Sequence, residues 1–361
     1  MKIINLLLGI RLLYLLKLLG RNGITLKPIY LLRFLVLFQN SILSSIFTLV
    51  EKIKYGEIIS QTNIEKDPIF IIGHWRTGST YLHQLLNLDN QFTTPTVIQN
   101  AIPDHFIFST KYYLPVMKAF MPKKRPMDEV KMAPLEPHED EFALIRMGSV
   151  SPLEKLVFPP KDKYFLSEYH EYIPSRGKLE KWENNLTTFI KKIQYPTKKQ
   201  VVLKNPFHTM RLTLLLKMFP QAKFIHIYRH PYDIVLSTIR MWNIVADENA
   251  LKNTWKKPTV VEACQVLDEY WSNIEKEKKN FGVHHFCEVK FEDLEKDPVS
   301  ALQRIYTALN LDFTENFKDN VHNFTDSLKT YRKNSYQITA EEKELIYSCM
   351  ERFFSYYKYD C

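Results

Sequence analysis

A turn bounded by two glycines carries the residues best suited to chemistry. In the segment PIFIIGHWRTGSTYLHQLL, an apolar strand leads into a turn with Gly73 and Gly78, and a helix begins near Ser79. Backbone N–H groups in such a turn and at a helix N-terminus have no partner within the helix, so they can bind an anion. Gly78 has no Cβ, which allows close approach to a phosphate. The segment therefore predicts a phosphate-binding loop.

The position of the positive charge narrows the class of loop. Gly73 and Gly78 have the spacing of a P-loop, but Ser79 stands where a nucleotide triphosphatase has its lysine. The charge lies inside the loop instead, at Arg76, where a guanidinium can bind an anion directly without a metal. An ordinary strand-to-helix turn and a P-loop kinase or triphosphatase are the alternatives, and the second lacks its lysine.

A second candidate phosphate site follows a later strand, in AKFIHIYRHPYDIVLSTIRMW. Arg229 ends the strand, Pro231 turns the chain, and Ser237 follows eight residues after the arginine. A planar guanidinium and a hydroxyl both suit a phosphate. Alone, Arg229 could equally form a surface ion pair. Two motifs in this order, each after a strand, favour a shared anion site.

These motifs resemble those of the sulfotransferases that use 3′-phosphoadenosine-5′-phosphosulfate (PAPS). In that family, a loop like IIGHWRTGSTYL holds the 5′-phosphate and the sulfonate. The resemblance implies this role for Trp75, Arg76, Thr77, Gly78, Ser79 and Thr80. It also implies that Arg229 and Ser237 hold the 3′-phosphate, and that no metal is needed.

The resemblance extends from Ile69 to about Tyr347, because KFEDLEKDPVSALQRIYTALNL is similar to the stretch after the family's last core strand. A late basic segment, LKTYRKNSY, stands where the family often covers the nucleotide. The resemblance therefore adds Lys329, Arg332 and Lys333 to the candidate donor site.

Sulfonate transfer also needs a cation near the leaving group and a base for the acceptor hydroxyl. Lys204, in VVLKNPFH, follows an apolar strand at the position of the family's lysine. Some branches place a histidine two residues later, where Pro206 stands here, and His208 lies two further on. Other branches use a glutamate in the stretch that reads TTPTVIQNAIPDH here, which offers Gln99 and Asp104.

The remaining candidate base lies in PLEPHEDEFAL, which resembles an acidic element of the larger bacterial and animal-like branch. Like charges and partial burial in the run His138, Glu139, Asp140 and Glu141 can raise the pKa of one carboxylate toward neutrality. We predict Glu139 or His138 as the base. The alternative is an acidic helix N-terminus that stabilises the helix dipole.

The rest of the chain predicts an α/β fold with a P-loop-like parallel sheet flanked by helices. Apolar strand candidates are residues 68–72, 200–203, 222–228 and 284–289. The proline-rich interval 93–160 predicts a loop-dominated insertion that shapes a site. We assign residues 61–361 to a sulfotransferase domain and residues 1–60 to an amphipathic helical extension.

The N-terminal extension begins with MKIINLLLGIRLLYLLKLLG, in which Arg11 and Lys17 argue against a secretory signal and a spanning helix. In residues 29–54, polar residues recur at helical spacing on one face, at Arg33, Asn40, Ser44, Thr48 and Glu51. Such a helix usually packs its broad apolar side on its own domain. Contact with a membrane interface is the alternative.

The amino-acid composition indicates a globular protein. The 361 residues have 45% hydrophobic and 25% charged side chains, which is typical of a globular protein. A net charge of +9 suits nucleic acid, acidic lipid or a phosphorylated cofactor alike and does not decide among them. The four cysteines form no CxxC pair, which predicts reduced thiols in a cytoplasmic protein.

Together these features predict a cytoplasmic sulfotransferase that moves a sulfonate from PAPS to a hydroxyl of a small-molecule acceptor. Aromatic residues of the interval 93–160 favour a hydrophobic pocket and a lipid-like or sterol-like alcohol, with a glycan as the alternative. We expect no nucleic-acid partner. Peripheral contact with the inner face of a membrane stays an alternative for the N-terminal helices.

Overall fold

The computed structural model of the protein describes residues 5–23, 28–122, 132–160, 174–251, 256–328 and 338–360. The chain divides into two compact units. Unit 1 consists of Met1–Glu65, Pro95–Lys198 and Trp242–Lys257. Unit 2 consists of Lys66–Thr94, Lys199–Met241 and Pro258–Cys361.

Unit 2 contains a five-stranded sheet in which neighbouring strands run parallel. The strands are β1 (Ile69–Ile72), β2 (Phe92–Thr93), β3 (Gln200–Lys204), β4 (Lys223–Tyr228) and β5 (Phe286–Lys290). Their order across the sheet is β2-β3-β1-β4-β5. The predicted parallel α/β sheet is confirmed. Among the described strands, β2 was not predicted, because a strand of two residues is too short to show an alternating or apolar pattern.

The α-helices are, in chain order, α1 (Leu12–Asn22), α2 (Pro28–Gln61), α3 (Ser79–Leu86), α4 (Val97–Ala101), α5 (Phe106–Phe120), α6 (Glu141–Arg146), α7 (Glu154–Val157), α8 (Arg176–Gln194), α9 (Leu212–Met218), α10 (Pro231–Asn249), α11 (Val260–Glu277), α12 (Phe291–Lys296), α13 (Pro298–Ala308), α14 (Glu315–Ser327) and α15 (Ala340–Tyr357). Short 3₁₀ turns follow β3, at Pro206–Arg211, and α11, at Lys278–Asn280.

The register of the central strands lines up the sheet edge from which the predicted motifs extend. Ile71 of β1 lies opposite Lys204 of β3 and Ile225 of β4. The carboxyl ends of these strands therefore meet at one edge, where an open α/β sheet usually binds its ligand. The sheet packs on α3 and α13 through buried side chains such as Leu82 and Leu302.

Unit 1 is helical where the sequence predicted loops. The expectation of a loop-dominated segment over residues 93–160 is wrong, because α4, α5, α6 and α7 lie within it. Pro95, Pro103 and Pro152 stand shortly before α4, α5 and α7, where a helix tolerates proline. Pro115 lies inside α5 itself. These four prolines are therefore compatible with the helices of the interval.

The N-terminal helices also belong to unit 1, together with residues 95–198. The expectation that α2 packs its apolar side on its own domain is wrong, because Arg33, Ser44 and Glu51 are buried while Leu49 and many other aliphatic residues are exposed. The polar residues face inward because they have hydrogen-bond and ion-pair partners within unit 1. The proposed division at residue 60 stays a prediction.

Candidate active site

The predicted phosphate loop connects β1 to α3 and adopts an unusual backbone. Gly73, Arg76 and Gly78 have φ angles of +133°, +67° and +91°, in the region that favours glycine. A Cβ at Gly78 would lie 2.1 Å from the ring of Phe291, and one at Gly73 would lie 2.5 Å from the carbonyl oxygen of Ile227. The two glycines therefore permit both the turn and its tight packing.

Hydrogen bonds hold the loop in place from inside unit 2. The Thr77 hydroxyl donates to the carbonyl oxygen of His74 at 2.8 Å, and the Gly73 N–H donates to Thr209 Oγ1 at 2.9 Å. Gly78 occupies the N-cap of α3 and has no side chain to accept from the first helical turn. The first N–H groups of α3 are therefore not capped by this residue, as an anion site requires.

The two motifs that the sequence predicted separately meet in one hydrogen bond. Arg76 Nε donates to Ser237 Oγ at 2.8 Å across 161 residues of sequence. Ser237 is buried on α10, and Arg76 is half-buried. The loop after β1 and the motif after β4 therefore form one polar cluster at the carboxyl edge of the sheet.

Arg229 directly follows β4, and its side chain contacts Asp233 and Phe291. Its Nε and Nη2 donate to Asp233 Oδ2 at 3.1 and 2.9 Å. Its guanidinium carbon also lies 4.5 Å from the centroid of the Phe291 ring. The sequence reasoning missed Asp233 and Phe291. The separation of four residues from Arg229 could have indicated the first as a local ion-pair partner.

Lys204 lies at the end of β3, next to the start of α3. Its ammonium group is 3.4 Å from the hydroxyl of Thr80, and the side chain is buried. This arrangement places a positive charge at the loop, and the predicted contact of Lys204 with the transferring group stays a prediction. Ser79, the neighbour of Thr80 in the first turn of α3, is buried too.

His83 adjoins this lysine. Burial, together with the nearby charge of Lys204, lowers the pKa of His83 to about 3. Its Nε2 lies 3.3 Å from the carbonyl oxygen of Val202, to which the neutral tautomer can donate. His83 is therefore neutral at physiological pH, and Lys204 supplies the positive charge here.

Trp75 faces the interior of unit 2. Its ring packs edge-on against Phe207, with centroids 4.9 Å apart, and at a tilt against Tyr270, with centroids 5.4 Å apart. The neighbouring His74 is buried, and burial lowers its pKa to about 4. These contacts anchor the loop to the core, and a donor contact of Trp75 stays a prediction.

Three of the candidate bases are committed to other contacts. His208 is 0% exposed and packs edge-on against Phe70, with ring centroids 5.4 Å apart. In unit 1, Asp104 forms an ion pair with Arg11 at 2.8 Å, and Gln99 completes the capping box of α4. A base must touch the acceptor hydroxyl, so we do not retain these three as candidates.

The acidic run lies in unit 1 and divides into two pairs. Asp140 and Glu141 are fully buried at the N-terminus of α6, as expected for residues that stabilise a helix dipole. His138 and Glu139 are half-buried. The ring of His138 packs on Phe142, with centroids 4.7 Å apart. Glu139 and His138 remain the candidate bases.

The late basic residues predicted to cover the nucleotide, Lys329, Arg332 and Lys333, lie outside the described residues.

In the part of the chain that is described, no group of three or more His, Cys, Asp or Glu side chains is arranged to hold a metal ion. Three of the cysteines, Cys264, Cys287 and Cys349, are free thiols.

Comparison with known proteins identifies the family to which these motifs belong. A sequence model described as "Sulfotransferase family" matches residues 68–315, which include the phosphate loop, Lys204 and Arg229. The chain belongs to the sulfotransferase family. This membership argues against the alternative of a P-loop kinase or triphosphatase.

Curated relatives extend the similarity to most of the chain. Sulfotransferases named Stf3 from Mycobacterium bovis and Mycobacterium tuberculosis are each 32% identical to it over 324 residues, which cover 89% of this chain and 82% of theirs. Both are named omega-hydroxy-beta-dihydromenaquinone-9 sulfotransferase.

Solved structures of sulfotransferases share the fold. STF9 from Mycobacterium avium has a TM-score of 0.69 at 15% identity, with 96% of both chains covered. STF1 from Mycobacterium tuberculosis has a TM-score of 0.62 at 18% identity, with 95% of this chain and 90% of that chain covered.

The tight packing of Gly78 predicts that Gly78→Ala destabilises this sulfotransferase by about 2 kcal/mol or more, because the methyl group would overlap the Phe291 ring at a positive φ. Gly177→Ala in α8 is the matched control, since no described atom lies within 4 Å of its added methyl group. The control should be neutral or stabilising by roughly 0.5 kcal/mol. Urea unfolding of both variants measures the difference. Equal stability of the two variants would contradict the packing argument.

The low pKa of His83 predicts a loss of stability in acid. The unfolded chain binds a proton at His83 near its ordinary pKa of 6.5, whereas the folded protein does so only near 3. Stability is therefore lost as the pH falls below about 6.5. Between about pH 7.5 and 5.5, wild type should lose about 1 kcal/mol more than His83→Gln in urea unfolding. Parallel pH profiles for the two proteins would refute this assignment.

Proposed function

We propose that this sulfotransferase moves a sulfonate group from PAPS to a hydroxyl of a hydrophobic lipid acceptor, giving an O-sulfate ester and 3′,5′-ADP. The observation that carries the proposal is the hydrogen bond from Arg76 to Ser237. It joins the loop expected to hold the 5′-phosphosulfate to the motif expected to hold the 3′-phosphate. A donor with anionic groups at both ends of its ribose fits such a pair.

The residues present fit the two anionic groups of that donor. The uncapped start of α3, Arg76 and the nearby Lys204 provide N–H groups and positive charge for the 5′ end. For the 3′-phosphate we assign Arg229 and Ser237. Asp233 engages Nε and Nη2 of Arg229, and the third nitrogen, Nη1, can donate to a phosphate oxygen.

The transfer itself requires one bond to form and one to break. The acceptor oxygen attacks the sulfur, the bond between sulfur and the bridging phosphate oxygen breaks, and the hydroxyl proton passes to a base. Negative charge develops on the departing phosphate, where Lys204 and the N-terminus of α3 stabilise it. We assign the proton transfer to Glu139, with His138 as the alternative base.

A hydrophobic acceptor is supported by the relatives and by composition. The names of the mycobacterial relatives describe enzymes that act on a hydroxylated menaquinone. In this chain, the interval 93–160, which we expect to shape the acceptor site, contains several aromatic side chains. These features favour a lipid alcohol over a glycan.

The donor assignment is tested by incubating the purified protein with PAPS and a panel of lipid and sterol alcohols, and by mass spectrometry of the sulfate esters. Arg229→Ala should weaken binding of 3′,5′-ADP, measured by calorimetry, by at least about tenfold, because a charge-assisted contact to phosphate is lost. Arg304→Ala is the control, as this exposed arginine pairs with Asp293. Equal affinity in the two variants would remove Arg229 from the donor site. The absence of any ester would refute the proposed reaction.

The assignment of the base predicts that Glu139→Gln lowers kcat by roughly 10²- to 10⁴-fold while the affinity for 3′,5′-ADP stays the same. Glu136→Gln, three residues earlier in the chain, is the control and should retain activity. If His138→Asn loses activity and Glu139→Gln does not, His138 is the base. Full activity in both variants would exclude His138 and Glu139 as the base.

A further inference from the structure

Helix α2 buries its polar side and exposes its apolar side, the reverse of an ordinary helix of a globular protein. Its buried residues are mainly polar, with Arg33 6% and Glu51 4% exposed, and Ser41 and Ser44 fully buried. Its exposed residues are mainly aliphatic, namely Leu31, Leu32, Leu35, Ile42, Leu43, Ile46, Leu49, Ile53 and Ile58. A helix that packs on a core in water normally shows the opposite arrangement.

Contacts within unit 1 fix the polar side of α2 inward. Arg33 Nη1 donates to the carbonyl oxygen of Ala250 at 2.9 Å. Glu51 forms an ion pair with Lys192 at 2.5 Å and accepts from the N–H of Phe108 at 2.9 Å. Turning the aliphatic side inward would break these bonds and leave buried charges without partners, which is costly. The exposed aliphatic side is therefore a stable property of unit 1.

The helices that pack on α2 extend its apolar surface. The N–H of Leu12 in α1 donates to Ser45 Oγ at 2.9 Å, and Tyr112 of α5 stacks on Phe47 with centroids 6.2 Å apart. The exposed apolar residues that these helices add are Leu13 and Leu16 on α1 and Tyr112, Val116 and Phe120 on α5. We call this set, with the exposed aliphatic residues of α2, the α2 face. So many large apolar side chains in one region indicate an interaction surface.

Positive charge accompanies the α2 face. The exposed lysines on α1, α2 and α5 are Lys17, Lys52, Lys54, Lys111 and Lys118. Lys54 and Lys111 lie 5.1 and 5.7 Å from the centroid of the Phe108 ring. The same helices have one exposed carboxylate, Glu57, because Glu51 is buried. Aliphatic and aromatic side chains bordered by lysines match the boundary between acyl chains and anionic headgroups.

We propose that the α2 face binds the leaflet of an anionic phospholipid membrane, with α2 lying in the plane of the interface. By length and composition alone, residues 30–61 could also cross a membrane, which is weak evidence for a span. A crossing would carry Arg33 and Glu51 away from their partners and into hydrocarbon. In the plane, the polar side keeps its contacts in unit 1 and only the aliphatic side enters the lipid. The proposal does not depend on the donor or the acceptor.

The test is flotation of the full-length protein with vesicles of phosphatidylcholine, with and without phosphatidylglycerol, in the absence of PAPS and acceptor. Wild type should bind, and more tightly with the anionic lipid. The triple variant Leu35→Gln, Ile46→Gln, Leu49→Gln should bind at least about tenfold more weakly, because three exposed aliphatic side chains no longer enter the lipid. Val283→Gln is the matched control, since Val283 is 82% exposed in unit 2, and it should bind like wild type.

A second variant tests the charge. Replacing Lys17 and Lys118 by Gln should weaken binding to vesicles with phosphatidylglycerol by roughly fivefold or more per lysine, and leave binding to phosphatidylcholine unchanged. Circular dichroism should show that all variants are folded, because every replaced side chain is exposed. Equal weakening on both vesicles would contradict the role of anionic lipid.

Two further results would overturn the proposal. If wild type does not float with either vesicle and sediments as a dimer that the triple variant converts to a monomer, a second copy of the chain covers the α2 face. For the orientation, quenching by brominated lipids should be equal in Leu32→Trp, Leu43→Trp and Ile53→Trp. Deeper quenching of the Leu43→Trp variant than of the other two would indicate a span.

Discussion

The hydrogen bond from Arg76 to Ser237 is the interaction on which the site in unit 2 depends. It can form because the parallel register of β1, β3 and β4 brings the ends of these strands to one edge of the sheet. It also needs Arg76 in a left-handed conformation, which the flanking glycines and the hydrogen bond from Thr77 to His74 support. Without this geometry, two short motifs distant in sequence would not form one polar cluster.

Burial decides which groups carry charge around that bond. His83 and His74 lie beside or within the loop, and burial keeps the pKa of each well below neutrality. The positive charge therefore comes from Arg76, Lys204 and Arg229. A site of this kind attracts anionic groups and leaves proton transfer to other residues, which is why the base must be sought elsewhere.

The inverted polarity of α2 follows from a different constraint. Arg33 and Glu51 need partners once the helix packs, and unit 1 supplies a carbonyl oxygen and a lysine. The aliphatic side of α2 is then exposed. We propose that this side binds an anionic leaflet. The net charge of +9 suits such a surface, although charge by itself did not distinguish lipid from other anionic partners.

The sequence by itself determined the parallel α/β sheet and the family to which the two motifs belong, because strand patterns, glycines and a displaced arginine are local signals. It could not decide the polarity of α2, since spacing shows that polar residues share a face but not which face is buried. Nor did it reveal that His208 lies in the core or that Asp104 pairs with Arg11. Those outcomes depend on partners distant in sequence, and only the tertiary structure brings such partners within hydrogen-bonding distance.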